Sequence, residues 1–233
     1  MRYAIGDIHG CYKTMVHLLE QVLKVSQEDQ VYFIGDYIDR GPGSRQVVDY
    51  LMEKQQEGYA FTPLRGNHEE MLVEAWVNRT PDDFMLWMLN GAQETLMSYD
   101  IDYDRQVREA ALDELPEAHV DFLRRMPYYI ELEDYILVHA GINFKASEPF
   151  QDTRSMVWCR DCENDLKKSG NRLLVFGHTP TPLELIRKQV SKKHPRGMNV
   201  DAGCVYKGYT GMGHLAALDL DHLSLYWQEN IDF

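Results

Sequence analysis

Three histidines, two aspartates and an asparagine of this chain stand just beyond short apolar runs, and as a set they are donors for divalent cations. Tyr3-Ala4-Ile5 leads into Gly6-Asp7-Ile8-His9, and Val31-Tyr32-Phe33-Ile34 into Gly35-Asp36. Phe61-Thr62-Pro63-Leu64 leads into Arg65-Gly66-Asn67-His68, Tyr135-Ile136-Leu137-Val138 into His139-Ala140-Gly141, and Leu173-Leu174-Val175-Phe176 into Gly177-His178-Thr179. Any one of these is what an ordinary turn after a strand shows. Their recurrence at five successive run ends singles them out.

Asp7 and His9 are two residues apart, so in an extended segment both side chains project to one side and can grip one ion. The carboxylate of Asp36 has two oxygens and can bridge that ion to a second, whose shell Asn67, His139 and His178 would complete. Oxygen and imidazole donors without thiolate suit manganese, iron or zinc, magnesium less well, and do not choose among them. Two ions roughly 4 Å apart acidify a shared water to hydroxide and hold an in-line displacement at phosphorus, so hydrolysis needs no phosphoenzyme. A leaving alkoxide requires a proton. His68 is placed to give it if Asp39 accepts the other ring hydrogen, and Arg40 offers a planar guanidinium to phosphate oxygens.

The runs that carry these residues have strand character, and helical patterns lie between them. From Tyr12 to Lys24, Met15, Val16, Leu18, Leu19, Val22 and Leu23 form one apolar face; from Ser44 to Glu57, Val47, Val48, Leu51 and Met52 form another. Strand, ligand loop, helix, strand is an α/β arrangement, and such sheets bind ligands beyond the carboxyl ends of their strands. From about residue 70 to about residue 126 the sequence is helix-rich, with Thr80-Pro81-Asp82 as a helix start, and is expected to be an insertion over the site. Strands are expected again at Met198–Ala202, His214–Leu220 and Leu223–Trp227. No linker divides the chain, so residues 1–233 are expected to form one domain.

Gly6-Asp7-Ile8-His9-Gly10, Gly35-Asp36-Tyr37-Ile38-Asp39-Arg40-Gly41, Gly66-Asn67-His68-Glu69, His139-Ala140-Gly141 and Gly177-His178-Thr179-Pro180 closely resemble the motif set of the serine/threonine phosphoprotein phosphatase family of calcineurin-like metallophosphoesterases. The resemblance spans almost the whole chain. It implies a sandwich of two mixed β-sheets flanked by helices, with Asp7, His9 and Asp36 at one metal and Asp36, Asn67, His139 and His178 at the other. It also implies His68 as acid beside Asp39, and phosphate bound by Arg40, Asn67 and an arginine after the His-Ala-Gly motif, for which Arg160 in Trp158-Cys159-Arg160-Asp161 is the candidate. The alternative for Arg160 is a surface pair with Asp161 or Asp152. Two divalent ions are implied, manganese first, with iron or zinc as alternatives.

Chain size, the Gly-His-Thr-Pro motif and Leu89-Asn90-Gly91 resemble bacterial and bacteriophage-type members, although Asn90 also fits a simple helix end. Hydrolysis of phosphoserine or phosphothreonine, with phosphotyrosine as a further substrate, is the first expectation. Cleavage of dinucleoside polyphosphates such as diadenosine tetraphosphate is the second, and an inactive binding scaffold the third. Bacterial diadenosine tetraphosphate hydrolases share most of these motifs but resemble this chain less at the last Gly-His, where they carry a tryptophan and this chain Thr179; that resemblance favours the first over the second, and a complete ligand set argues against the scaffold.

The formal charge of −13 disfavours a nucleic acid polymer as partner, and the basic residues Lys192, Lys193, His194 and Arg196 read as a solvated loop. No apolar run approaches the roughly 18 residues of a membrane span or the core of a leader peptide, so a cytoplasmic protein is expected. Four cysteines suggest no disulfide framework; Cys159 and Cys162 read as plain thiols and Cys11 as a thiol near the metal loop. His17, His119, His194, His214 and His222 lack partners at telling spacing. Arg65 reads as structural, and Phe84 to Met88, with Trp76, as a packing face in which Trp87 has a lesser claim to a substrate groove.

Overall fold

A computed structural model describes residues 1–102, 108–192 and 197–233. The strands β1 (Arg2–Ile5), β2 (Gln30–Phe33) and β3 (Ala60–Pro63) are joined by β8 (His214–Asp219) and β9 (Ser224–Glu229) in the order β3-β2-β1-β8-β9. The second sheet runs β4-β5-β6-β7, from β4 (Tyr129–Glu131), β5 (Tyr135–Val138), β6 (Leu173–Phe176) and β7 (Gly197–Asn199). β1, β2 and β3 are mutually parallel, as are β5, β6 and β7, while β8, β9 and β4 pair antiparallel. Both sheets are therefore mixed.

The apolar runs of β1, β2, β5 and β6 are continuous because these strands are buried on both faces. Tyr3, Ile5, Val31, Phe33 and Phe61 belong to a core shared with α1 (Tyr12–His17) and α2 (Ser44–Gln56), whereas Ala4, Tyr32 and Ile34 face Tyr135, Leu137, Val175 and Met198 of the other sheet. On the far side of the second sheet, Ile136, Val138 and Leu174 pack with Met156 of α8 (Thr153–Trp158). Period-two alternation thus makes a helix–sheet–sheet–helix sandwich, with α9 (Leu183–Val190) seated by Leu183 and Ile186 against Ala202 and Ala216. The fold class expected from the sequence is the one observed.

The expected first helix is α-helical only to His17 and continues as a π-helical stretch, Leu18–Leu23, closed by Lys24 at φ 54°. The expected helical insertion is present as α3 (Asn67–Asn78), α4 (Pro81–Leu89), α5 (Ala92–Ser98), α6 (Arg108–Asp113) and α7 (Glu117–Arg124). Thr80 caps α4, its hydroxyl accepting from Asp83 N at 3.2 Å with Pro81 in the first turn. β7 ends at Asn199, three residues short of the expected strand, because Asp201 turns the chain by accepting from Gly203 N at 2.8 Å. The loop expected at Lys193, His194 and Arg196 lies outside the described residues. Among the described residues no helix is long and apolar enough to cross a membrane.

Candidate active site

The carboxyl ends of β1, β2, β3, β5 and β6 converge, and Asp36 lies at the centre of what they deliver. It follows β2 in the left-handed region at φ 54°, held by its N–H donating to Glu69 Oε2 at 2.9 Å. Glu69 also accepts from Tyr37 N at 2.8 Å and Gly66 N at 3.0 Å, so one buried carboxylate ties the β2 loop to the start of α3. Burial, reinforced by the Asp36 charge, pushes Glu69 up to about 7. Gly66 has to be glycine, since a Cβ there would come within 2.2 Å of Asp36 Oδ1. So placed, Asp36 presents Oδ2 to His9 Nε2 and Oδ1 to His139 Nε2, each at 3.4 Å. Two oxygens of one carboxylate face imidazoles from different sheets.

Hydrogen bonds set the histidine tautomers. His9 Nδ1 donates to the Ile38 carbonyl at 2.9 Å and His139 Nδ1 to the Ile34 carbonyl at 2.8 Å, which leaves each Nε2 of the neutral rings as a lone pair. His139 Nε2 and His178 Nδ1 both lie 2.9 Å from Asn67 Oδ1. Acceptor atoms of Asp36, Asn67 and His139 therefore crowd together with no hydrogen among them, a repulsion that a cation relieves. Burial drives His9 and His139 below the usual imidazole range and His178 down to about 3, favouring the neutral form that ligates metal. Asp7 Oδ2 accepts from His178 N at 3.0 Å, while its Oδ1 and His178 Nε2 are buried without a partner. Burial, then the Asp201 and Asp36 carboxylates, raises Asp7 well above the usual range, the mark of a dry site short of positive charge. Gly177 is required here too, because a Cβ would sit 2.1 Å from Asp7 Oδ1. The donor atoms fit two groups that share Asp36: His9, Asp36 and His68, and Asp36, His139 and His178, each within 4.8 Å.

His68 differs from the other histidines. Its Nδ1 donates to Asp39 Oδ2 at 2.7 Å, and its buried Nε2 has no partner. Burial opposes its protonation, but Asp36 and Asp39 outweigh that and raise its pKa. Asp39 in turn accepts from Thr95 Oγ1 at 2.6 Å on Oδ1 and from Trp87 Nε1 at 3.1 Å on both oxygens. Arg40 Nη1 donates to His9 Nε2 at 2.7 Å, a positive group standing on the lone pair an ion would use.

Sequence reasoning brings Asp7, His9, Asp36, Asp39, Arg40, Asn67, His68, His139 and His178 to the same neighbourhood, and the structure places all nine there. Among the described residues Arg160 makes no hydrogen bond or ion pair to the nine; it is exposed on the loop after α8 beside a cavity of about 750 Å³. Its charge reaches His178 and helps hold that ring neutral, and among the described residues it pairs with neither Asp161 nor Asp152. Asp152 instead caps α8, accepting from Ser155 N at 3.1 Å. Arg65 is structural, its guanidinium bound to Glu70, Tyr128 and the carbonyls of Leu123 and Arg124.

One expectation is corrected. Cys159 and Cys162 are joined as a disulfide rather than standing as plain thiols, since the turn after α8 brings the sulfurs together. Trp87 packs inside the insertion, as the packing-face reading expects and the groove alternative does not; it is fully buried with its indole N–H on Asp39. Thr95 and Asp201 were missed altogether. For Asp201 a signal is present, because Asp201-Ala202-Gly203 follows the strand-like segment Met198-Asn199-Val200; the carboxyl is buried and raised to about 7 by that burial.

The sequence matches the calcineurin-like phosphoesterase family over residues 3–214. It is 28% identical over 218 residues to "Serine/threonine-protein phosphatase 1" of Salmonella typhimurium, covering 88% of each chain. It is 26% identical over 233 residues to "Bis(5'-nucleosyl)-tetraphosphatase PrpE [asymmetrical]" of Anoxybacillus flavithermus, covering 88% of this chain and 86% of that one. In fold it resembles a protein serine/threonine phosphatase from Saccharomyces cerevisiae with similarity to human phosphatase PP5, at a TM-score of 0.64 and 15% identity, covering 99% of this chain and 80% of that one. A match of that extent, on a sandwich whose strand ends converge on His and Asp donors, makes this chain a member of the calcineurin-like phosphoesterase family.

Proposed function

We propose that the chain hydrolyses phosphomonoesters, with phosphoserine and phosphothreonine side chains of proteins as its principal substrates and phosphotyrosine as a further one. The observation that carries this reading is the carboxylate of Asp36 set between His9 and His139, next to His68, whose ring nitrogen Nδ1 is bound to Asp39 and whose pKa is raised where theirs are lowered. The similarity to a serine/threonine phosphatase over 88% of each chain supports the substrate class. Asp7, His9 and Asp36 would hold one divalent ion and Asp36, Asn67, His139 and His178 the other, manganese being the first candidate. When bound, such ions supply Lewis acidity and an activated water at neutral pH. Arg40, joined by Asn67 and Arg160, binds the phosphoryl oxygens. His68 keeps a proton on Nε2 and gives it to the departing alkoxide, while Asp39 fixes the ring's tautomer and orientation.

Dinucleoside polyphosphate cleavage is the second reading. It is favoured by the match to a bis(5'-nucleosyl)-tetraphosphatase and by a cavity of about 490 Å³ beside Arg40, walled by Leu89, Val205, Tyr206 and Phe233, which suits a planar base. Protein stripped of metal and reloaded with manganese decides between them. A higher kcat/KM on a phosphoserine peptide than on diadenosine tetraphosphate is expected, and the reverse order selects the second reading. Undiminished turnover in excess chelator would falsify both.

A further inference from the structure

Asp39 and Arg40 are consecutive residues, both at left-handed backbone angles, φ 70° and 69°. Neither is glycine, and L side chains avoid this region, so the surroundings must impose it. Those surroundings are the corner where α4 meets α5. Asp39 N donates to Thr95 Oγ1 at 2.8 Å and to Ser44 Oγ at 3.1 Å, and Arg40 N donates to the Gly91 carbonyl at 3.0 Å. The hydroxyl of Thr95 thus works twice, accepting from the Asp39 backbone and donating to the Asp39 carboxylate, while Trp87 reaches both carboxylate oxygens. Trp87 and Thr95 are fully buried, so neither meets substrate directly. Gly91 itself sits at φ 103°, and a Cβ on it would lie 2.8 Å from Arg40 Cγ and 3.0 Å from Arg40 N.

We infer that the α4–α5 corner is a positioning device in which Trp87 and Thr95 aim the Asp39–His68 pair and Gly91 aims Arg40, so that the helical insertion sets both proton delivery and phosphate binding. This rests on the reading of His68 as proton donor and Arg40 as phosphate ligand. A carboxylate that lost Thr95 or Trp87 would rotate toward other donors and orient the His68 ring less well, slowing only reactions whose leaving group needs the proton. A side chain at position 91 would displace Arg40 and weaken binding of the phosphoryl group common to all substrates.

The test uses the manganese-loaded full chain with two substrates, a phosphoserine peptide and 4-nitrophenyl phosphate, whose aryl leaving group needs little protonation. Thr95→Val, which keeps the shape, and Trp87→Phe, which keeps a buried aromatic ring but removes the N–H, are each expected to lower kcat about tenfold on the peptide and about twofold on the aryl ester. Thr95→Ser is expected to restore most of the loss, and Gly91→Ala to raise KM several-fold on both substrates with kcat nearly kept. His68→Asn is the control for the underlying reading. If His68→Asn discriminates between the substrates and the Thr95 and Trp87 variants lose activity equally on both, or Thr95→Ser is as poor as Thr95→Val, the corner has no positioning role. If His68→Asn itself does not discriminate, the assignment of the proton donor falls and the corner's role falls with it.

Discussion

The floor of the site, at the junction of the two sheets, and its wall, where the insertion meets Asp39, handle buried charge in opposite ways. On the floor Asp36, Asn67, His9 and His139 bring acceptor atoms close together, and Asp7 Oδ1 and His178 Nε2 find no hydrogen-bond partner. On the wall Asp39 is just as buried, yet its two oxygens receive hydrogen bonds from His68, Trp87 and Thr95. A buried polar group left unpaired costs roughly 1–3 kcal/mol, so the floor is left short of donors while the Asp39 carboxylate is fully supplied with them. The difference teaches where an ion belongs: apart from Arg40 on His9 the floor has, among the described residues, no positive donor for its acceptors, and the wall supplies its own.

Removing the shared carboxylate should do the most damage. Asp36→Asn keeps the shape but gives up the charge that faces both imidazole groups, and turnover is expected to fall about a thousandfold or more. Elemental analysis should show less than the wild-type metal content; full content with full activity would end the bridging assignment. His68→Asn breaks the point where floor and wall meet. A loss of about a hundredfold on phosphoserine peptide, much smaller on an aryl phosphate, is expected with metal content unchanged.

Asp39→Asn breaks the wall alone, with an expected loss of about tenfold on the peptide. The pH profile sharpens this case. Because His68 is raised above its ordinary 6.5, its proton persists past that pH and is lost as pH climbs through the raised value, so the alkaline limb of the peptide reaction lies above 6.5. Removing the Asp39 charge should move that limb to lower pH, and an unmoved limb would assign it to another group. The smallest effect is on stability. Manganese at about a hundred times its dissociation constant is expected to raise the thermal midpoint of the wild type by about 5 °C, and that of Asp36→Asn by much less, as read by calorimetry.

The floor is legible in the sequence alone. Its residues all follow apolar runs, and the carboxyl ends of parallel strands are where an α/β sheet opens a crevice. The wall is not. Trp87 and Thr95 lie 48 and 56 residues from Asp39, and nothing in their local sequence separates a buried hydrogen-bond donor from an ordinary packing residue. The helix starting at Tyr12 shows the same limit, because its first amides, Lys13 N and Thr14 N, are capped at 2.9 and 3.0 Å by Asp232 from the far end of the chain.

What the sequence determined by itself was the donor set, the strand and helix periods, and the order in which strand ends present their ligands. Those depend on residue type and short-range spacing, which periodic backbone geometry translates directly into a face or an end. Only the tertiary structure decided which carboxylate lies between two imidazoles, which indole supports Asp39, and that Cys159 and Cys162 are paired. Hydrogen bonds act over about 3 Å, and the chain separations they close are set by how the layers pack rather than by any local pattern.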